Sequence, residues 1–360
     1  MRHANTALFV PHNGCPHRCS FCNQNAITGQ AKQPSPADVE RAAQRAAETL
    51  PKGVPAELAF FGGSFTAIDR DYMVSLLKAA QPFLQAGVFS GIRCSTRPDC
   101  IDADILSLLK SYGVKVVELG AQSMDDTVLR RNRRGHTAAD VERASGLIRA
   151  SGLSLGLQMM VGLPGDTPAG AWKTARRLAA LRPETMRIYP TIVLPGSLLA
   201  SWYQEGTYRP LELGEAVELC AGLLSFFEGE SIRVIRLGLH SSPELERERL
   251  AGPWHPAFRE LCESFLYLRA FRREWQKAEK ACTAFVNPRD LSAAVGQKRG
   301  NVRTLEQEGL RLSVRTKEDV PRGWVEWAEN ETIRRCCIFD RPSQGTQNVF
   351  DAKEEVAVCG

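Results

Sequence analysis

Long hydrophobic runs, internal repeats and low-complexity tracts are all missing from this sequence of 360 residues. A helix needs about 20 consecutive apolar residues to cross a membrane, and no run approaches that length. The amino terminus leads into an apolar segment at residues 7–10 without the features of a secretory signal peptide. An odd number of cysteines, 11, without such a signal is typical of a reducing compartment. We therefore expect a cytoplasmic protein that does not associate with membranes.

A second CxxC motif is also missing, which limits what the one cysteine cluster of the chain can be. Cys15, Cys19 and Cys22 have the spacing CxxxCxxC, just after the apolar segment, and Phe21 precedes the last cysteine. Structural zinc sites usually take two close pairs of ligands, and ordinary ferredoxin clusters take four cysteines. The other eight cysteines are scattered and lack such a spacing.

Two interpretations of the cluster follow from its spacing. His12 or His17 could supply a fourth ligand for zinc. Alternatively, the three thiolates hold three corners of a cubane [4Fe-4S] cluster and leave one iron without a protein ligand. Such an iron is open to chemistry that a fully ligated cluster lacks. Spacing by itself leaves both interpretations open.

The first two-thirds of the chain alternates short apolar runs with helical patterns. Helices are predicted to begin at Ser35-Pro36 and Thr167-Pro168, because a capping residue followed by proline suits the first helical turn. Alternating strands and helices are typical of parallel α/β architectures. The sequence therefore predicts an α/β protein with a partial (β/α)6 barrel. Its six strands are predicted at residues 7–10, 57–61, 91–95, 114–119, 153–161 and 186–194.

The candidate functional segments each follow a predicted strand. The cysteine loop follows the first strand, Gly62-Gly63-Ser64 the second, Gln122 the fourth and Gly162 the fifth. Parallel α/β folds place their sites at the carboxyl ends of the strands. We therefore expect these four segments to meet at one face of the barrel.

We divide the chain into a core of residues 1–240 and a smaller α/β extension of residues 241–360. Residues 269–317 contain twelve Lys and Arg against five Asp and Glu, whereas residues 318–360 contain five against nine. A concentrated basic block is the electrostatic footprint expected for an acidic partner such as RNA. A solvated helix face would explain the same charges. Residues 290–296 and 301–306 also have the pattern of a helix–turn–helix, which many short helix pairs share.

Several motifs together resemble one family. CxxxCxxC with an aromatic residue before its last cysteine is similar to the motif of the radical S-adenosylmethionine superfamily. The order of further motifs over residues 6–210 resembles the radical portion of the catalytic subunit of Elongator. The chain departs from that subunit in its shorter cysteine spacing and in ending without an acetyltransferase domain. The further motifs are Gly62-Gly-Ser-Phe65, Ser95-Thr-Arg-Pro-Asp99, Glu118-Leu-Gly-Ala-Gln-Ser123, Arg134-Gly-His-Thr137, Arg187-Ile-Tyr-Pro-Thr-Ile-Val193 and Trp202-Tyr-Gln-Glu-Gly-Thr-Tyr208.

The resemblance implies a pair of cofactors. Cys15, Cys19 and Cys22 would bind a [4Fe-4S] cluster, and its open iron would chelate the amino and carboxylate groups of S-adenosylmethionine. The loop from Gly62 to Ser64 would receive the amino group, since glycine lets the backbone approach a ligand closely.

The resemblance also implies residues for the rest of S-adenosylmethionine. Arg134 would bind the carboxylate, which suits the planar guanidinium. Gln122 would hydrogen-bond the ribose hydroxyls, and Gln158 is a second candidate for the same role. The segment from Met160 to Gly162 would flank the adenine, although an apolar strand end is often core.

The implied function is reductive cleavage of S-adenosylmethionine to a 5′-deoxyadenosyl radical that abstracts hydrogen from an unidentified substrate, with tRNA as a candidate. Flavodoxin or ferredoxin would supply the electron. Tyr189, His136 and His240 are candidates for the substrate side, and each has a structural alternative. Two other functions stay open: a radical enzyme acting on a porphyrinogen or peptide, and a non-catalytic, metal-stabilised RNA-binding protein.

Overall fold

Seven parallel strands form one sheet in sequence order, with β1 and β7 at its two edges. This computed structural model describes residues 4–11, 19–23, 32–51, 53–240, 243–275, 281–329 and 332–339. Because the described edge strands do not pair with each other, the sheet is a curled, incomplete barrel. The strands are β1 (Ala4–Val10), β2 (Ala56–Gly62), β3 (Gly91–Thr96), β4 (Val114–Gln122), β5 (Ser154–Val161), β6 (Thr185–Pro190) and β7 (Arg233–Leu237).

Helices connect the strands and cover one face of the sheet. Ser35 caps the first helix through a capping box with Asp38, and the hydroxyl of Thr167 accepts a hydrogen bond from Gly170 N, so both predicted helix starts are confirmed. The helices of this part are α1 (Pro36–Thr49), α2 (Arg70–Gln85), α3 (Ala103–Ser111), α4 (Asp126–Arg131), α5 (Ala138–Ala150), α6 (Pro168–Ala180), α7 (Leu198–Gln204) and α8 (Leu213–Gly229).

The two faces of the barrel strands differ in polarity. Leu58 and Phe60 on β2 are buried in the hydrophobic core between the sheet and the helices. Glu57 on β2, Arg93 on β3 and Glu118 on β4 are equally buried, but they contact one another through ion pairs. Side chains alternate between the faces of a strand, so these charged residues occupy the concave interior of the barrel.

The fold class is confirmed, with one strand more than predicted. β7 has the short sequence Arg-Val-Ile-Arg-Leu, whose two arginines hide its apolar pattern. The sixth strand ends at Pro190, whereas the prediction extended it to Leu194. Val193 instead forms an isolated bridge with Ala251, since the partner strand β5 ends at Val161, opposite Pro190.

A second sheet lies in the carboxyl-terminal part, with the strand order β11-β10-β8-β9. The predicted helix pair is present as α11 and α12, and the division of the chain at residue 240 stays a prediction. None of the described helices is long and apolar enough to cross a membrane. The elements are α9 (Pro243–Glu248), α10 (Phe258–Trp275), β8 (Ala281–Val286), α11 (Leu291–Val295), α12 (Gly300–Gln307), β9 (Arg311–Thr316), β10 (Trp324–Glu329) and β11 (Thr332–Cys337).

Candidate active site

A cavity of about 640 Å³ lies at the carboxyl ends of the barrel strands. Its walls are the cysteine loop, the loop after β2, the ends of β3 and β4, the turn between α4 and α5, and residues 196–198. We call this space the cofactor cavity. Segments that are far apart in sequence meet here because parallel strands end at the same edge of a sheet.

Two of the three clustered cysteines line the cofactor cavity. Cys19 is 6% exposed, Cys22 is half-buried, and the backbone N–H of Cys22 donates to the carbonyl of Cys19 at 3.2 Å. Cys15 lies outside the described residues, as do His12 and His17. The set of three thiolate ligands therefore stays a prediction.

A buried serine and asparagine hold the cysteine loop in place. The hydroxyl of Ser20 donates to Asn132 Oδ1 at 2.7 Å, and the backbone N–H of Ser20 donates to the carbonyl of Asn132 at 3.1 Å. Asn132 Nδ2 donates in turn to the carbonyls of Val128 and Pro164. No sequence pattern singled out this pair, because each residue acts through a partner about a hundred positions away.

The glycine loop closes against the end of β1. Gly62 has a φ of +106°, and a Cβ atom there would lie 3.1 Å from the carbonyl oxygen of Val10. The N–H of Gly63 donates to the same carbonyl at 2.8 Å. Glycine at position 62 is thus required by both conformation and space, and the backbone of this loop lines the cavity.

Ser64 connects the glycine loop to the end of β3. Its Oγ lies 2.8 Å from Thr96 Oγ1 and accepts a hydrogen bond from Arg97 N at 3.1 Å. The guanidinium of Arg97 makes a bidentate ion pair with Asp99. The segment Ser95–Asp99 is one of the motifs that carry the resemblance, but no role was predicted for it. Like the other candidate segments, it lies at the end of a predicted strand.

Arg134 reaches from the turn between α4 and α5 to the cysteine loop. Its Nη1 donates to Cys19 Sγ at 3.3 Å and its Nη2 donates to the carbonyl of Gly120 at 2.6 Å. Its Nε is buried and has no hydrogen-bond partner within the described part of the chain. Arg130, Arg131 and Arg133 are exposed. Arg133 also lines the cavity, but Arg134 is the buried arginine of residues 130–134.

Gln122 sits at a break in the pairing of β4 with β5. Its φ is +66°, a conformation that costs a non-glycine residue roughly 1–3 kcal/mol. Its Oε1 is buried and lacks a hydrogen-bond partner among the described residues. A Cβ atom at Gly120 would lie 2.9 Å from Gln122 Nε2 and 3.4 Å from Arg134 Nη2. Because Gly120 has no side chain, the side chains of Gln122 and Arg134 can both occupy the space beside it.

Gln158 lines the cavity on the side of the barrel interior. Its Nε2 donates to Glu118 Oε2 at 3.0 Å. Arg93 donates to Glu118 Oε1, and Arg187 donates to both Glu118 oxygens. Burial alone would raise the pKa of Glu118, but the charges of Arg187 and Arg93 outweigh it and the net shift is downward. Gln158 thus joins the cavity to a buried, ionised network.

The predicted adenine segment lies beside the cavity. Met160 is half-buried on the same face of β5 as Gln158, whereas Val161 is buried in the hydrophobic core. The carbonyl of Gly162 accepts a hydrogen bond from the hydroxyl of Tyr208 at 2.7 Å. Phe21 packs against the small cluster that contains Tyr208. Met160 and Gly162 do not appear in the described cavity wall, and their adenine role stays a prediction.

The three candidates for the substrate side occupy different environments. His136 is buried, its Nε2 lies 3.1 Å from the carbonyl of Ala121, and its Nδ1 has no partner in the described ranges. Burial and the charge of Arg134 lower the pKa of His136 to about 4. Burial also raises the pKa of Tyr189, whose hydroxyl contacts Arg187. His240 is exposed. These three residues do not converge on the cofactor cavity wall that the structure describes.

The polar atoms at the cavity fit a charged, hydrogen-bonding ligand. A buried polar atom without a partner costs about 1–3 kcal/mol, so native structures retain few of them. Arg134 Nε is a donor and Gln122 Oε1 is an acceptor, and both belong to cavity-lining side chains. Together with two thiols and a glycine backbone, they match the donor set that an amino acid and a ribose bound beside an iron–sulfur cluster would need.

Comparisons with known proteins identify the family of this chain. A family model described as the radical SAM superfamily matches residues 9–178, and another described as the Radical_SAM C-terminal domain matches residues 183–267. Protein YhcC of Escherichia coli (strain K12) is 30% identical over 255 residues, which are 67% of this chain and 76% of that protein. The chain belongs to the radical SAM superfamily. It is an enzyme of that superfamily, whose members use a [4Fe-4S] cluster and S-adenosylmethionine.

More specific relatives match a smaller share of their own length. The tRNA uridine(34) acetyltransferase of Dehalococcoides mccartyi (strain CBDB1) is 30% identical over 244 residues, 58% of this chain and 53% of that protein. Human Elongator complex protein 3 is 30% identical over 189 residues, 47% of this chain and 35% of that protein. The chain thus spans about half the length of the acetyltransferase and a third of the human protein. The similarity to the catalytic subunit of Elongator is confirmed at this level.

A solved structure shares the fold. The archaeal Elp3 of Methanocaldococcus infernus, with an amino-terminal deletion, superposes with a TM-score of 0.59 at 21% identity. The superposition covers 76% of this chain and 63% of that one. At this identity the likeness establishes the architecture, which is the curled α/β barrel described above.

Proposed function

We propose that this enzyme uses a [4Fe-4S] cluster held by Cys15, Cys19 and Cys22 to cleave S-adenosylmethionine and to modify an RNA substrate, with tRNA as the substrate class. The observation that carries the proposal is the contact of Arg134 with Cys19 beside the unpartnered Gln122 Oε1. When bound, the cluster and S-adenosylmethionine supply a 5′-deoxyadenosyl radical that abstracts a hydrogen atom. The protein binds, orients and shields these groups.

Each cavity residue has a role in this proposal. Arg134 bridges the cysteine loop and β4, and its free Nε–H points to a carboxylate as the ligand group. Gln122 Oε1 accepts from a ribose hydroxyl. The backbone of Gly62 and Gly63 takes the amino group. Gln158 donates one amide hydrogen to Glu118, and this contact holds its amide nitrogen at the barrel interior.

Two features support RNA as the substrate class. The relatives named tRNA uridine(34) acetyltransferase share 28–30% identity over the part of their length that this chain spans. The basic block of residues 269–317 also suits a polyanion, because neutralising phosphates releases counterions and drives association. Flavodoxin or ferredoxin is the electron donor in this proposal.

The chemistry is tested by anaerobic reconstitution with iron and sulfide, followed by dithionite and S-adenosylmethionine. We expect release of 5′-deoxyadenosine by the wild type and none by Cys19→Ala or Cys22→Ala. Cys220→Ala is the matched control, because Cys220 is buried within α8 and should leave release intact. A wild type with a well-formed cluster that releases no 5′-deoxyadenosine would refute the proposal.

The substrate class is tested by comparing tRNA nucleosides and small metabolites from strains with and without the gene. We expect one modified nucleoside to disappear from tRNA. An unchanged nucleoside profile together with an altered porphyrin or peptide product would assign the enzyme to another substrate class. The residue roles are tested by Gln122→Leu, which should weaken binding of S-adenosylmethionine about tenfold through loss of one hydrogen bond.

A further inference from the structure

Among the described elements, helices pack against one face of the carboxyl-terminal sheet, and we call the opposite face the open face. The covered face packs against α10, α11 and α12 within the main hydrophobic core. Because side chains alternate along a strand, the residues between these core positions point to the opposite face. The core positions of the sheet are Ala284, Val286, Leu312, Val325 and Trp327.

Aromatic and basic side chains share the open face. Phe285 pairs in register with Arg315 on one side and with Glu326 on the other, and Glu326 pairs with Arg335. These four residues form one row across all four strands. Trp324 lies two positions before Glu326 on β10 and therefore on the same face. Phe285 and Trp324 are half-buried, and neither belongs to the hydrophobic core clusters.

The acidic groups of this region already have cationic partners. Lys317 Nζ contacts Glu326 Oε1 at 2.5 Å, and Arg335 Nη2 contacts Glu326 Oε2 at 2.8 Å. Asp319 lies 3.5 Å from Lys317 and 3.9 Å from Arg335. Hydrogen bonds and charge from Lys317 and Arg335 lower the pKa of Glu326, so it stays ionised.

Two arginines on the open face remain without an acidic partner. Arg311 and Arg315 are exposed on β9, point to the same face, and make no ion pair within the described residues. They are separated by about 13 Å, the rise of four strand residues. Among the described residues of the open face, two carboxylates thus face four cations, which leaves a surplus of positive charge.

We propose that this open face binds single-stranded RNA, with guanidinium groups on phosphates and aromatic rings under bases. We call it the basic sheet face, formed by Arg311, Arg315, Lys317, Arg335, Phe285 and Trp324. Cations in a row attract a polyanion, and half-buried aromatic rings on a sheet stack unpaired bases. The inference rests on the proposed RNA substrate and names the surface that would hold it.

The test compares two variants that remove the same charge. Arg311→Gln/Arg315→Gln changes the basic sheet face, and Lys173→Gln/Arg176→Gln changes exposed cations on α6. Fluorescence anisotropy with a labelled single-stranded RNA gives the Kd at several salt concentrations. We expect the first variant to bind about tenfold more weakly and its salt slope to fall by about 1–2 units. We expect the α6 variant to bind like the wild type.

A second variant separates stacking from charge. Phe285→Leu should weaken single-strand binding about fivefold and leave the salt slope unchanged, since a stacked base is lost but no phosphate contact is. Binding of a duplex of the same sequence should not respond to Phe285→Leu. Unchanged melting temperatures would show that all variants are folded.

The outcomes separate this inference from the proposed function. If the wild type binds RNA and both double variants match it, the basic sheet face is not the RNA site, but the RNA substrate stands. If the wild type releases 5′-deoxyadenosine yet binds no RNA, the RNA substrate itself is wrong. If phosphatidylserine vesicles bind in place of RNA and the Arg311→Gln/Arg315→Gln variant loses them, the face belongs to a membrane contact and the inference is overturned.

Discussion

Two buried polar regions of the barrel differ in whether their polar groups have partners. In the interior charge network (Glu57, Arg93, Glu118 and Arg187), every charged side chain has an ionic partner. At the carboxyl end, Arg134 Nε, Gln122 Oε1 and His136 Nδ1 are buried without partners among the described residues. On β4 these regions are only four residues apart, from Glu118 to Gln122.

The difference indicates which of the two regions is suited to bind a ligand. A complete set of ion pairs can be buried without a large net cost, whereas a missing partner leaves the desolvation of the remaining group uncompensated. The interior charge network is therefore complete without a ligand, and it reaches the cofactor cavity through Gln158. The unpartnered atoms retain a cost that a bound cofactor would offset. This contrast predicts that substitutions in the two regions affect different measurements.

The largest expected effect is a loss of stability in the interior charge network. Glu118→Gln leaves the buried guanidiniums of Arg93 and Arg187 short of one negative charge, which should cost about 3–5 kcal/mol of unfolding free energy. Urea unfolding measures this loss. The double variant Glu118→Gln/Arg187→Gln should be less destabilised than the sum of the single variants. Additive effects would show that the residues do not act as one network.

A smaller effect is expected from the pH dependence of stability. The pKa of His136 is lowered from 6.5 to about 4, because burial and then the charge of Arg134 disfavour the imidazolium. Below pH 6.5, His136 is protonated in the unfolded chain but stays neutral in the folded chain. The free energy of unfolding therefore falls as the pH falls towards 4. From pH 7 to 5 this amounts to about 2 kcal/mol.

His136→Gln removes this contribution and should flatten the pH dependence of urea unfolding between pH 7 and 5. Glutamine keeps a donor for the carbonyl of Ala121. His240→Gln is the control, since His240 is exposed and the wild-type slope should persist. An unchanged slope in His136→Gln would mean that folding does not lower the pKa of His136.

The smallest effect is expected at Gly120, in binding rather than in folding. Gly120→Ala places a Cβ atom 2.9 Å from Gln122 Nε2, so the side chains of Gln122 and Arg134 must shift. We expect affinity for S-adenosylmethionine, measured by equilibrium dialysis of the reconstituted enzyme, to fall severalfold. Gly146→Ala is the control, because a Cβ atom there meets nothing within 4 Å. It should leave affinity unchanged and add up to about 1 kcal/mol of stability. Equal affinities for the two variants would argue against a binding role for Gln122 and Arg134.

Much of the fold could be predicted because its signals are local. The capping residues Ser35 and Thr167 lie next to the helices that they begin, and apolar runs marked six of the seven strands. β7 was missed because its two arginines break the apolar pattern. The cavity-lining residues at strand ends, such as Gln122, could be proposed because parallel strands share an edge. The hydrogen bond between Ser20 and Asn132 could not be predicted, since it joins residues 112 positions apart.

The sequence by itself determined the order of strands and helices, the spacing of the thiols and the glycines that the turns need, because these depend on neighbouring residues. The tertiary structure decided which arginine of residues 130–134 contacts the cysteine loop, since among the described residues it is the side chain of Arg134 that donates to Cys19 and Gly120. It likewise decided that Arg315, Phe285, Glu326 and Arg335 form one row, because strand register is set by pairing between distant segments. Burial and pairing are properties of the folded chain, and they separate the groups that complete the fold from those that await a ligand.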